Sequence, residues 1–176
     1  KAEVILQHTT ELLKYPDSRY TEEALLMRSR LYFNQQQYAE AMSDYKALQA
    51  KASNVERRQN SIIGILHCAS QLKNDTEIIQ ASTTLLADDK LIPELRNEAL
   101  YQRAKAYQRQ HATKKCTEDL KLLAKDTRTL YGAEAKYLLA QQLYDSNQLN
   151  AAEEEVLNFI EQSTPHTYWL ARSFIL

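Results

Sequence analysis

Glycine and proline are nearly missing from this sequence. There are 2 Gly and 3 Pro in 176 residues, where average usage gives roughly a dozen and about nine. A Gly-rich phosphate loop cannot be built from Gly64 and Gly132 alone, and few tight turns can interrupt the chain. No nucleophile elbow or paired-histidine metal motif occurs, and His8, His67, His111 and His166 are scattered. These absences argue against an enzyme and against a bound metal or cofactor. Charge of one sign is also lacking: 22 basic residues face 23 acidic ones. The balance provides no net field toward nucleic acid or anionic lipid, so neither is expected as a partner. The longest compact apolar cluster, Ile62 to Leu66, is too short to span a bilayer, so direct membrane insertion is not expected. Cys68 and Cys116 lack redox or metal spacing and fall at apolar helical positions, where a thiol acts as a small hydrophobe.

What remains is helical and periodic. Ala41, Ile78, Cys116 and Ala152 each open the apolar stripe of a second helix, at intervals of 37, 38 and 36 residues. Such a period predicts an all-α chain of stacked helix pairs, an α-solenoid. The first pair is expected from Thr21, as N-cap, through the stripe of Ala24, Leu25, Leu31 and Tyr32, then from Tyr38 to Leu48. The second pairs Val55 to Leu72 with Asp75 to Ala87, the third Pro93 to Arg109 with Thr113 to Lys125, and the fourth Tyr131 to Tyr144 with Leu149 to Gln162. Half-units flank them at Val4 to Lys14 and His166 to Leu176. Pro16, Pro93 and Pro165 fall between units, and Asn54 and Gly132 are the cap or turn residues at junctions without proline. One continuous domain over 1–176 is expected, cut from a longer multi-repeat protein. The apolar ends Val4-Ile5-Leu6 and Phe174-Ile175-Leu176 offer a route to self-association.

These positions resemble the tetratricopeptide repeat, whose first helix carries a large residue, a Leu-small pair and a Tyr, and whose second carries Ala and then an aromatic. The first pair places Leu25, Arg28-Ser29, Tyr32, Ala41 and Tyr45 there. The third places Leu100, Arg103-Ala104, Tyr107, Cys116 and Leu120, and the fourth Lys136, Leu139-Ala140, Leu143, Ala152 and Val156. The second is poorer: Ile62, Ile65-Leu66, Ala69, Ile78 and Ser82. The resemblance implies a right-handed solenoid of about four repeats with truncated half-repeats at both ends. The stretch Tyr15-Pro16-Asp17-Ser18 before Ala24 is similar to repeat junctions of Gram-negative envelope proteins, which implies a periplasmic setting.

In that family the inner wall is formed mainly by first helices. The register puts Leu26, Arg30 and Phe33 in line with Ile63, His67 and Ser70, then with Tyr101, Lys105 and Gln108, and with Tyr137, Gln141 and Tyr144. Rings, amides and cations in one row suit a peptide or a partner protein held along a concave face, a non-enzymatic scaffold. Arg30, His67 and Lys105 do not reproduce the basic clamp by which some members hold chaperone tails. Two alternatives stand beside the scaffold. One is a glycan or small-molecule binder stacking sugars on Tyr101, Tyr137 and Tyr144, and the other an architectural spacer. Packing between units is the competing role for each ring of the row. Glu153-Glu154-Glu155, Lys114-Lys115 and Arg57-Arg58 are short charge runs of solvated helix faces.

Overall fold

A computed structural model describes residues 2–15 and 18–176. Pro16 and Asp17, the centre of the envelope-like junction, lie outside the described residues. Among the described residues there are ten helices and no strand. In chain order they are α1 (Ala2–Leu12), α2 (Thr21–Asn34), α3 (Tyr38–Lys51), α4 (Val55–Leu72), α5 (Asp75–Leu86), α6 (Pro93–Arg109), α7 (Thr113–Leu123), α8 (Leu130–Asp145), α9 (Leu149–Glu161) and α10 (Thr167–Ser173).

Packing divides the chain into two compact units, Lys1–Asp89 and Lys90–Leu176. In the first, each helix from α1 to α5 packs on the next. Its core gathers Leu25, Leu48, Ile65, Leu66 and Ile78, all nearly or fully buried. In the second, α6 to α9 pack in the same successive way, and α10 lies on α8 and α9. Leu100, Leu120, Leu139 and Phe159 fill that core. Ala41, Ile78, Cys116 and Ala152, the positions that set the period, are 0%, 0%, 2% and 5% exposed, so the repeat in the sequence is a repeat in burial. Ser29, Ala104 and Ala140 are likewise buried, small enough to let the facing helices close.

The four helix pairs close with one turn. Gln36, Lys73, His111 and Asn147 each take a left-handed conformation, with φ between 53° and 62°. They too stand 37, 38 and 36 residues apart. After each, a backbone N–H reaches back five residues: Gln37 to the Tyr32 carbonyl at 2.8 Å, and Asn74 to Ala69, Ala112 to Tyr107 and Gln148 to Leu143, each at 2.9 Å. This is the Schellman closure of a helix, built without the glycine that usually serves it.

Two of the pairs carry an Arg–Asp ion pair between their helices. Arg28 of α2 donates through Nε and Nη2 to both carboxylate oxygens of Asp44 on α3, each at 2.7 Å. Arg103 of α6 does the same to Asp119 on α7, at 2.8 and 2.7 Å. Asp44 and Asp119 are buried, and hydrogen bonding to these carboxylates pushes both guanidinium pKa values up. At the same register α4 and α5 put the apolar residues Ile65 and Ala81. In α8 and α9 the positions fall to Leu139 and Glu155, and Lys136 reaches Glu155 from one turn earlier, at 2.8 Å.

Two local assignments differ from the sequence-based expectation. The Ala24 N–H bonds the Tyr20 carbonyl at 2.9 Å, so Tyr20 rather than Thr21 caps α2, and Thr21 is buried inside the first turn. Gly132 is not a junction residue but part of α8. Thr129 is the cap, its Oγ1 accepting from the Gly132 N–H at 3.0 Å. A Cβ on Gly132 would run into the Asp126 carbonyl, which explains the glycine by close approach rather than by turn geometry. Asn54 does cap α4, accepting from the Arg57 N–H at 2.8 Å.

Candidate functional site

The row of first-helix residues is distributed over α2 and α4 in one unit and over α6 and α8 in the other. On α2 and α4 the structure brings Phe33 and His67 together, ring centres 6.5 Å apart, and Phe33 also meets Tyr38 edge-on at 5.2 Å. Leu26 and Ile63 are half-buried, and Arg30 is exposed. Ser70 spends its hydroxyl on the Leu66 carbonyl at 2.8 Å, as a helical serine commonly does.

On α6 and α8 the row is more tightly knit. Tyr101 stacks on Tyr131 at 4.7 Å and donates its phenol proton to Glu134 Oε1 at 2.8 Å. Burial, together with the Glu134 carboxylate, pushes the Tyr101 pKa up, so the phenol stays a neutral donor. Lys105 Nζ lies 3.9 Å from Glu134 Oε1, the edge of ion-pair range, and 5.8 Å from the centre of the Tyr101 ring. Tyr137, the equivalent of Tyr101 one repeat later, is only 4% exposed. Trp169 of α10 covers it at 5.5 Å, and Arg172 sits over its ring at 4.7 Å. Gln141 is half-buried and Gln108 exposed. Tyr144 is open but parts from the others, lining an apolar groove of about 420 Å³ with Leu149, Val156, Ile160 and Phe174. Of the three tyrosines suited to sugar stacking, Tyr101 and Tyr137 therefore carry a partner ring, and Tyr144 is left open.

Five residues outside the expected row belong to it: Tyr131 and Glu134 on α8, and Tyr168, Trp169 and Arg172 on α10. Tyr168 and Trp169 meet edge-on at 4.9 Å. Arg172 donates to the Tyr137 hydroxyl at 3.0 Å and to the Tyr168 hydroxyl at 3.4 Å, and these phenols push its pKa up. A signal for Arg172 was present in the period, because a 36-residue step from Lys136 lands on it.

A larger concavity lies elsewhere, a groove of about 590 Å³ against α7, α8 and α9, lined by Thr117, Lys121, Lys136, Gln142 and Glu155 among others. Lys136 is committed there to Glu155 and to Asn158 at 2.6 Å, and Gln142 accepts from Thr117 at 2.8 Å, so its polar groups are largely engaged with each other. Among the described residues no three His, Cys, Asp or Glu side chains converge as metal ligands. Cys68 and Cys116 are free and buried, and burial pushes the Cys68 thiol up to about 11. No described helix is long and apolar enough to cross a membrane.

Comparison with known proteins finds no matching family model, no matching curated protein and no matching solved structure. The first-helix row is therefore interpreted on its own geometry: rings fixed edge to face or stacked, with cations laid on them and amides at the margin.

Proposed function

We propose that this chain is a tetratricopeptide-like, right-handed solenoid that binds a peptide segment or folded partner along the face of its first helices and performs no chemistry on it. The recurrence of a ring bearing a cation at one register, Tyr101 under Lys105 and Tyr137 under Arg172, carries this reading. Beside these cations Tyr101 and Trp169 are half-buried and Tyr168 is exposed; such rings supply apolar contact at small entropic cost and the cations give direction, a combination common at binding hot spots. The uniform hairpin turns support the repeat, and the junction likeness around Tyr15 supports an envelope setting.

The test is capture of partners from the source cell by the full chain, with substitutions that spare the core. Arg30→Glu and the pair Gln108→Glu/Tyr144→Ala alter exposed first-helix positions, and Lys114→Glu alters an exposed second-helix position. Partner recovery falls at least five-fold for the first-helix variants and is unchanged for Lys114→Glu, with helix content equal by circular dichroism. Equal recovery from all of them removes the assignment of the face.

A further inference from the structure

Arg172 is an unusual cation for a surface. Its guanidinium carbon lies 4.7, 5.7 and 5.9 Å from the ring centres of Tyr137, Trp169 and Tyr168. Two of its five N–H donors go to the Tyr137 and Tyr168 hydroxyls. Among the described residues no carboxylate lies in ion-pair reach of it, in contrast to Arg28 and Arg103, each held by an aspartate. The residue is exposed. A guanidinium fixed by rings on its faces and by phenols on part of its edge keeps three donors for an incoming acceptor. Because its rotamer is already set, little entropy is lost when a planar carboxylate is bound by two parallel hydrogen bonds.

We propose that the first-helix face of the second unit recognises an acidic peptide segment, with Arg172 as the principal carboxylate anchor and Lys105 as a second, weaker one. This deepens the scaffold reading and rests on it. Lys105 rides on Tyr101 as Arg172 rides on Tyr137, and the two tyrosines are one repeat apart. Among the described residues the one carboxylate in ion-pair reach of it, that of Glu134, stands at 3.9 Å, so it remains able to take a second anion. Both cations reach α8, Lys105 at Glu134 and Arg172 at Tyr137 three residues on. An extended chain advances about 3.3 Å per residue, so two acids three residues apart can address both from one peptide.

The sequence contains a single tryptophan, Trp169, which makes the emission of the intact chain a reporter on this cluster alone. The probes are the acetylated, amidated hexapeptide Ala-Glu-Ala-Ala-Glu-Ala, its twin with Gln for Glu, and inorganic phosphate. The Glu peptide is expected to change the emission saturably and to bind at least ten-fold more tightly than the Gln twin. Arg172→Gln should weaken it about ten-fold and Arg172→Lys less, since an ammonium cannot make the paired hydrogen bonds. Lys105→Gln should weaken it two- to three-fold, with helix content unchanged in all three. The proposal is overturned if neither peptide changes the emission, if the twins bind alike, if Arg172→Gln binds as wild type, or if phosphate binds more tightly than the Glu peptide. Partner capture that depends on Gln108 and Tyr144 while the twins bind alike would defeat the acidic specificity and leave the scaffold standing. Glu-specific binding without any face-dependent capture would do the reverse.

Discussion

Gln36, Lys73 and His111 hold a backbone conformation that costs an L-residue with a Cβ about 1 kcal/mol. Only the geometry of the hairpin requires it, since each carries the closure between paired helices. His111→Gly is therefore expected to raise stability by about 0.5 kcal/mol, the relief being partly offset by the freer unfolded chain. A urea melt that shows a lower midpoint for His111→Gly would mean that the imidazole itself contributes to the turn. These residues also explain where local sequence reading failed. The turns could be placed by phase, yet with no glycine in them nothing in composition marked the left-handed residue. Where a glycine was present, at Gly132, its cause was the Asp126 carbonyl, a contact made across a loop that no spacing rule describes.

At the scale of helices and their pairs, most boundaries were legible. Val55–Leu72 begins at a side-chain cap and Pro93–Arg109 at a proline, and both helices coincide with their expected spans. The Arg–Asp clasps were not foreseen, because Arg28 and Arg103 stand at positions where the tetratricopeptide pattern that the sequence resembles has leucine, and their counter-charges sit 16 residues later in another helix. The clasp is conditional in its effect on stability. Arg103→Ala leaves the buried Asp119 carboxylate without its partner and should cost about 3–5 kcal/mol. The double variant Arg103→Leu/Asp119→Ala should recover most of that loss, since Ile65 and Ala81 already occupy these positions in α4 and α5. Denaturant midpoints of the single and double variants measure the difference. A double variant as unstable as the single one would show that shape, not charge, is at fault.

At the scale of the whole chain, the helices gather into two compact units, with Asp88 to Ile92 outside any helix between α5 and α6. Trypsin is expected to cut early after Lys90 and to release two fragments that each keep helical circular dichroism. A first cut inside α4 or α8, or fragments that lose their helices, would contradict the division. The all-α architecture could be read from the sequence, because it rests on periodicity. The first-helix row was legible only as a register: its residues fall on α2, α4, α6 and α8, but the shielding of Tyr137 depends on Trp169 and Arg172, contributed by α10. A pattern of spacing says which residues recur. It does not say which of them the next turn of chain will cover.

The alternation of charged and apolar clasps has a further consequence for assembly. Helices that look interchangeable by stripe alone could exchange partners as the chain collapses, a hazard of repetitive proteins. An arginine from α2 or α6 facing α5 would find Ala81 where it needs an aspartate, and Asp44 or Asp119 facing α4 would meet Ile65. Each such mismatch strands a lone ion in an oily contact. The ion pairs thus act as labels of kinship, rejecting the wrong neighbour more strongly than they reward the right one.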